Sequence, residues 1–134
     1  MRIILDSGGV SALSGETTTA RARRRALLDA GVWPPLVPAP VLVESLTGDH
    51  RRDHAPNRLL RDCEIVVADE VVARSAAALR SRTGRSDAIS AVDAMVVAVA
   101  ADALGQTRVV TSDFRDIDAL IAASGRADIL ASRV

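Results

Sequence analysis

A chain of 134 residues of which 49% are hydrophobic has the size and apolar content of one packed domain, which excludes disorder as its main state. The 17 cations, all of them Arg, balance 17 acids, so bulk charge does not mark a nucleic-acid binder. Trp33 and Phe114 are the only aromatics, which disfavours a base-stacking platform, and the single Cys63 excludes an internal disulfide framework and a Cys-based zinc site while fitting a reducing cytoplasm.

"RIIL" (Arg2 to Leu5) is a short apolar run stopped by Asp6 and Ser7, the pattern of a buried strand. "SGGVSAL" reads as turn glycines leading into a short helix. "TTTARARRRALLDAG" has a Thr cap region, good helix formers and Gly31 as a stop. The proline-punctuated "VWPPLVPAP" permits only a very short strand around Leu36 and Val37. "PVLVESLTG" starts a helix at Pro40, and "DHRRDHAPNRLLRDC" is polar and helical toward its end. "EIVVAD" reads as a second buried strand. "DEVVARSAAALRSRTG" runs from acids to arginines, the charge order a helix dipole favours. "ISAVDAMVVAVAADALG" is apolar nearly all round and reads as a helix in the core. Its longest apolar stretch lies between Asp93 and Asp102, far too short to span a bilayer, and the acid at residue 6 argues against a secretion signal. "TRVVTSD", "FRDIDALIAASG" and "DILAS" complete the chain as strand, helix and strand. This alternation predicts an α/β fold with a mainly parallel central sheet of about four to five strands, helices on both faces, and one domain over residues 1–134.

The acids stand out against this frame. Asp6 follows the first strand and Asp113 follows "RVVTS", so if the two strands are neighbours both carboxylates face one crevice beyond their carboxyl ends. Asp93 interrupts the most apolar helix, and Glu44 sits among Val41, Leu42, Val43 and Leu46. Each acid also has an ordinary structural use. Asp6 can cap the helix after it, Ser90 and Asp93 fit a capping box, and Asp113 with Asp116 forms another cap pair. Taken together, carboxylates at close range raise one another's pKa, and a hard divalent cation such as Mg²⁺ or Mn²⁺ relieves that repulsion. His50 and His54 stand four apart in "HRRDH", but the Glu of a zinc-protease motif is replaced by Arg51, and the pair reads as part of an exposed charged turn.

"RIILDS", "APVLVESL", "AVDAMVVAVAADAL" and "RVVTSDFRDIDAL" resemble, in order and spacing, a PIN domain, and more narrowly the VapC ribonuclease toxins of bacterial toxin–antitoxin pairs. The resemblance runs along essentially the whole chain. It implies a metal-dependent ribonuclease whose catalytic acids are Asp6, Glu44, Asp93 and Asp113, with Mg²⁺ or Mn²⁺ held by Asp6, Asp93 and Asp113. Ser7, Thr111, Ser112 and Asp116 fall where the family lines or supports the pocket. Many members carry a further hydroxyl residue after the first acid, where this chain has Gly8 and Gly9, so support around Asp6 must differ. The resemblance further implies a VapB-like antitoxin covering the pocket, a homodimer, a cytoplasmic location without a membrane, and transfer or ribosomal RNA as target. Phosphate contact falls to two arginine clusters, Arg21, Arg23, Arg24 and Arg25, and Arg80, Arg82 and Arg85, each of which also reads as a solvated helix face.

A receiver domain, of similar size and also built on strand-end aspartates, needs a lysine that this chain lacks, and P-loop and dinucleotide fingerprints are absent. The remaining alternative is a non-catalytic PIN-like module that binds RNA or a protein. Cleavage of DNA instead of RNA is also open, because no residue discriminates the two.

Overall fold

The short aliphatic runs and the helix-forming segments between them produce, in the computed structural model of residues 1–134, five strands and seven helices. In chain order these are β1 (Arg2–Leu5), α1 (Ser7–Leu13), α2 (Thr18–Asp29), β2 (Leu36–Pro38), α3 (Val41–Ser45), α4 (His54–Arg61), β3 (Glu64–Val66), α5 (Glu70–Arg82), α6 (Ala91–Asp102), β4 (Thr107–Thr111), α7 (Phe114–Ser124) and β5 (Ile129–Arg133). The strands form one sheet in the order β3-β2-β1-β4-β5, every adjacent pair parallel. The expected α/β architecture is therefore present, and its strand order reverses between β1 and β4, where sheets of this kind open a crevice.

Burial follows the sequence pattern. Ile3, Ile4 and Leu5 of β1 are buried, as are Ala94 and Val96 to Ala100 of α6, which crosses the sheet as the all-apolar helix its sequence predicts. Full burial of one Val, Leu or Ile side chain stabilises by about 1.5–3 kcal/mol, so an aliphatic cluster, with Trp33 packed against it, holds the fold. No helix is long and apolar enough to cross a membrane.

Two expectations are corrected. "EIVVAD" is not a buried strand: β3 lies at the sheet edge, with Ile65 and Val67 exposed, because only β2 pairs with it. Three consecutive apolar residues cannot by themselves distinguish an edge from a centre. Gly8 and Gly9 are not in a turn ahead of a helix; they form the first turn of α1 itself. A Cβ at Gly8 would run into the Ser112 side chain and come within 2.7 Å of the Ser112 amide nitrogen, and one at Gly9 would come within 2.6 Å of the Val110 carbonyl oxygen. Absence of side chains thus lets the start of α1 lie against the end of β4.

The "HRRDH" segment also differs in one respect. His50 and His54 are exposed, as expected, but Asp53 between them is buried. Its carboxylate accepts from the Thr47 amide and hydroxyl and from the Gly48 amide, at 2.8, 2.9 and 2.8 Å. These hydrogen bonds, chiefly that of the Thr47 amide, hold its pKa below the usual carboxylate value. Asp53 therefore closes the loop between α3 and α4 and has no part in a metal pair.

Gly→Ala in a free helix turn stabilises, by about 1 kcal/mol. Gly9→Ala in this chain is predicted to do the reverse, lowering the unfolding free energy by about 1–3 kcal/mol because backbone must move to admit the methyl. Urea denaturation checks the sign; a stabilised variant would mean that α1 and β4 do not pack this closely.

Candidate metal centre

Because β1 and β4 are paired in register, from Arg2 against Thr107 to Leu5 against Val110, the chain leaves both strands at the same edge. Asp6 follows β1 and Asp113 follows β4 after Ser112. α6 begins beside them and contributes Asp93 from its first turn, and α7 contributes Asp116 from its own. One oxygen each from Asp93, Asp113 and Asp116 lie within 4.8 Å of one another.

Asp6 lies deeper, 3% exposed. Its Oδ1 accepts from the Gly9 amide at 2.7 Å, which caps α1 and draws the carboxylate down toward that helix. Burial pushes its pKa up, while hydrogen bonds from the Thr111 hydroxyl and from the Gly9 and Gly8 amides oppose the rise. Thr111, fully buried, also accepts from the Asp113 amide at 2.8 Å, so one hydroxyl ties the first acid to the backbone of the last. The support that the glycines do not give Asp6 by side chain thus comes from their amides and from Thr111.

Asp93 is the most perturbed acid, pushed up from the usual 3.8 to about 6. Burial is the main cause, opposed by a hydrogen bond from Ser90; repulsion from Asp6, Asp113 and Glu44 adds to the rise. Glu44, on the first turn of α3, is exposed and reaches the group as a charge at its mouth. It forms one wall of a hollow of about 230 Å³ that is also lined by Ser7 and Ser11. Ser112 is exposed beside Gly8.

Both readings of the acids coexist in the structure. Asp6, Ser90 and Asp113 each accept from an amide three residues on, so the helix-cap pattern holds, yet the same residues bring the carboxylates together. The residue undervalued from sequence is Asp116. It stands in the tightest cluster, whereas Asp6 lies outside it, and its spacing after Asp113 was the available signal.

The arginine clusters fare differently. Arg24 is turned inward, donating to the carbonyls of Leu13 and Gly15 at 2.6 Å each, and Arg23 donates to Ala12. Arg25 pairs with Asp29 along α2, while Arg21 is exposed. Arg80 donates to the Ile89 carbonyl, pinning the loop before α6, and Arg82 is exposed. Arg85 alone reaches the acidic group, binding Asp116 at 2.7 Å.

The PIN domain family profile matches residues 3–120. The chain belongs to the PIN domain family. Among curated proteins none matches it in sequence. Solved structures share its fold along nearly the whole chain. A chain of the DNA-bound VapBC of Salmonella typhimurium superposes with a TM-score of 0.68 at 15% identity, covering 99% of this chain and 98% of that one. VapBC2 of Rickettsia felis, bound to a DNA fragment from its promoter, gives 0.67 at 12% identity over 100% and 99%. FitAcB of Neisseria gonorrhoeae gives 0.64 at 22% identity over 96% and 95%.

A PIN centre of this geometry is costly without a cation. A carboxyl whose pKa is raised by folding keeps its proton in the fold where the unfolded chain has lost it, so stability falls as pH rises from about 4 to about 6. In chelator at pH 7.5, Asp93→Asn is predicted to raise Tm by about 2–6 °C, a difference that shrinks as the pH drops below 6. Thermal unfolding across pH measures this; an Asn variant less stable than wild type at pH 7.5 would show that burial does not strain Asp93.

Proposed function

We propose that this PIN domain is a Mg²⁺- or Mn²⁺-dependent endoribonuclease and the toxin of a VapBC-type toxin–antitoxin pair. The observation that carries the reading is the convergence of Asp93, Asp113 and Asp116, with Asp6 beneath and Glu44 at the mouth, where the strand order of a PIN sheet reverses. The donors fit the cation: all are carboxylate oxygens, the set hard divalent ions select, and burial together with their mutual repulsion raises the pKa of Asp93, a strain that a bound cation would relieve.

Asp93 and Asp113, with Asp6 as the buried anchor, would hold the ion, and Asp116 would join them from the rim. When bound, such an ion supplies Lewis acidity toward a phosphate oxygen and a water that ionises near neutral pH. The chain's own residues do the rest. Thr111 links the first acid to the backbone of Asp113, and the Gly8 and Gly9 amides orient the Asp6 carboxylate and oppose the rise in pKa that its burial causes. Glu44, free of the packed core, orients the attacking water and takes up its proton. The water oxygen bonds to phosphorus in line with the departing 3′ oxygen, which leaves with a proton from solvent. The products are a 5′-phosphate and a 3′-hydroxyl.

The partners follow from the same reading. A VapB-like antitoxin, a second copy of the chain and an RNA such as a transfer or ribosomal RNA are the proposed contacts, in the cytoplasm. The similarity in fold to VapBC and FitAcB chains supports the antitoxin. No residue of the site favours RNA over DNA; the preference rests on the resemblance to VapC toxins.

The test is incubation of total cellular RNA with the antitoxin-free chain and Mg²⁺ or Mn²⁺, beside EDTA and Asp93→Asn controls. Discrete cleavage with 5′-phosphate ends that falls at least about 100-fold in both controls is the predicted result. A 2′,3′-cyclic phosphate product would contradict the chemistry. Equal cleavage by the variant would move the site elsewhere, and RNA binding without cleavage would favour the non-catalytic module.

A further inference from the structure

Of the seven ion pairs in the chain, three join residues two or four apart in sequence, and in six the acid is more than a third exposed. Arg85 and Asp116 are the exception. They join the loop before α6 to the first turn of α7, and the Asp116 side chain, at 15%, is the least exposed acid of any pair. The arginine is held there by its backbone: its amide donates to the Thr83 hydroxyl at 3.1 Å, and its carbonyl accepts from Ala88 and Ile89 at 3.0 Å each. Arg80 secures the same loop through the Ile89 carbonyl. Only one nitrogen of the Arg85 guanidinium is engaged, on Asp116, so its remaining N–H groups have no acceptor within the chain.

A cation is thus already built into the rim of the acidic group, on the one acid whose oxygens lie with those of Asp93 and Asp113. Building on the metal-centre reading above, we propose that Arg85 is a positioning residue with two settings. It pairs with Asp116 while the centre lacks a divalent ion, and it turns to a substrate phosphate when the three carboxylates are neutralised. Fixed charge of like sign opposes entry of the ion, and both cations compete for Asp116. A planar guanidinium released at that rim is suited to a phosphate oxygen, its donors lying in the fork that phosphate accepts. Because the two binding events share one carboxylate, each strengthens the other by the same factor.

The experiment is calorimetric titration of Mn²⁺ into wild type, Arg85→Gln, Asp116→Asn and the double variant. It is paired with anisotropy of a nuclease-resistant phosphorothioate oligonucleotide with and without Mn²⁺. Arg85→Gln should bind Mn²⁺ about three- to five-fold more tightly than wild type, the upper end of what a solvent-accessible ion pair delivers, and this gain should vanish in the Asp116→Asn background. Arg85→Lys, which keeps the charge, should bind Mn²⁺ much as wild type does, and it serves if the Gln variant does not fold. Mn²⁺ should tighten oligonucleotide binding by wild type and do so less for Arg85→Gln. Mn²⁺ affinity that is unchanged or weaker in Arg85→Gln, with wild type binding the ion, would overturn this inference and leave the metal centre standing. No Mn²⁺ binding by folded wild type would overturn both.

Discussion

The site depends on how closely the first turn of α1 lies against the end of β4. Parallel pairing of β1 with β4 brings two chain exits to one edge, but it does not bring their carboxylates into one group. That needs the helix after β1 to start within contact of the residues after β4, and a Cβ at either Gly8 or Gly9 would prevent it. With the glycines in place, Asp6 caps α1, Thr111 bridges from Asp6 to the Asp113 amide, and α7 starts where Asp116 can join Asp93 and Asp113. Ser7 keeps the hydroxyl that follows the first acid, and the glycines at 8 and 9 trade a further side chain for close approach. Backbone amides and a threonine hydrogen-bond the Asp6 carboxylate there.

The convergence opposes stability. The helix that carries Asp93 is otherwise among the most deeply buried segments, and the carboxylate at its first turn stands in a field of three like charges. Aliphatic burial elsewhere in the sheet and in α6 offsets this, and Arg85 reduces the net charge at one corner. This local conflict with the rules that shape the rest of the chain lies at the switch point of the sheet, where the proposed metal centre is.

Much of this was legible in the sequence, for identifiable reasons. β1 and α6 are largely apolar and β4 carries a valine pair, each bounded by polar residues, so both their type and the position of the acids at or near their ends could be read directly. Neighbouring strands could only be assumed, because adjacency is decided by long-range packing, and β3 was read as buried for the same reason. Gly8 and Gly9 suggested a turn because glycine usually serves one, whereas here its value is the absence of a side chain. Asp53 was hidden among polar neighbours, since its three hydrogen bonds come from a loop whose shape the sequence does not state. The pairing of Arg85 with Asp116 spans 31 residues, beyond the reach of any local pattern.

The most direct measurement is diffraction from crystals soaked in Mn²⁺, with data collected at wavelengths where manganese scatters anomalously. The account predicts a peak between the ends of β1 and β4, coordinated by Asp93 and Asp113 with Asp6 or Asp116 completing the carboxylate set. A peak that lies elsewhere, or none at a manganese concentration in the millimolar range with the acids ordered as described, would contradict it.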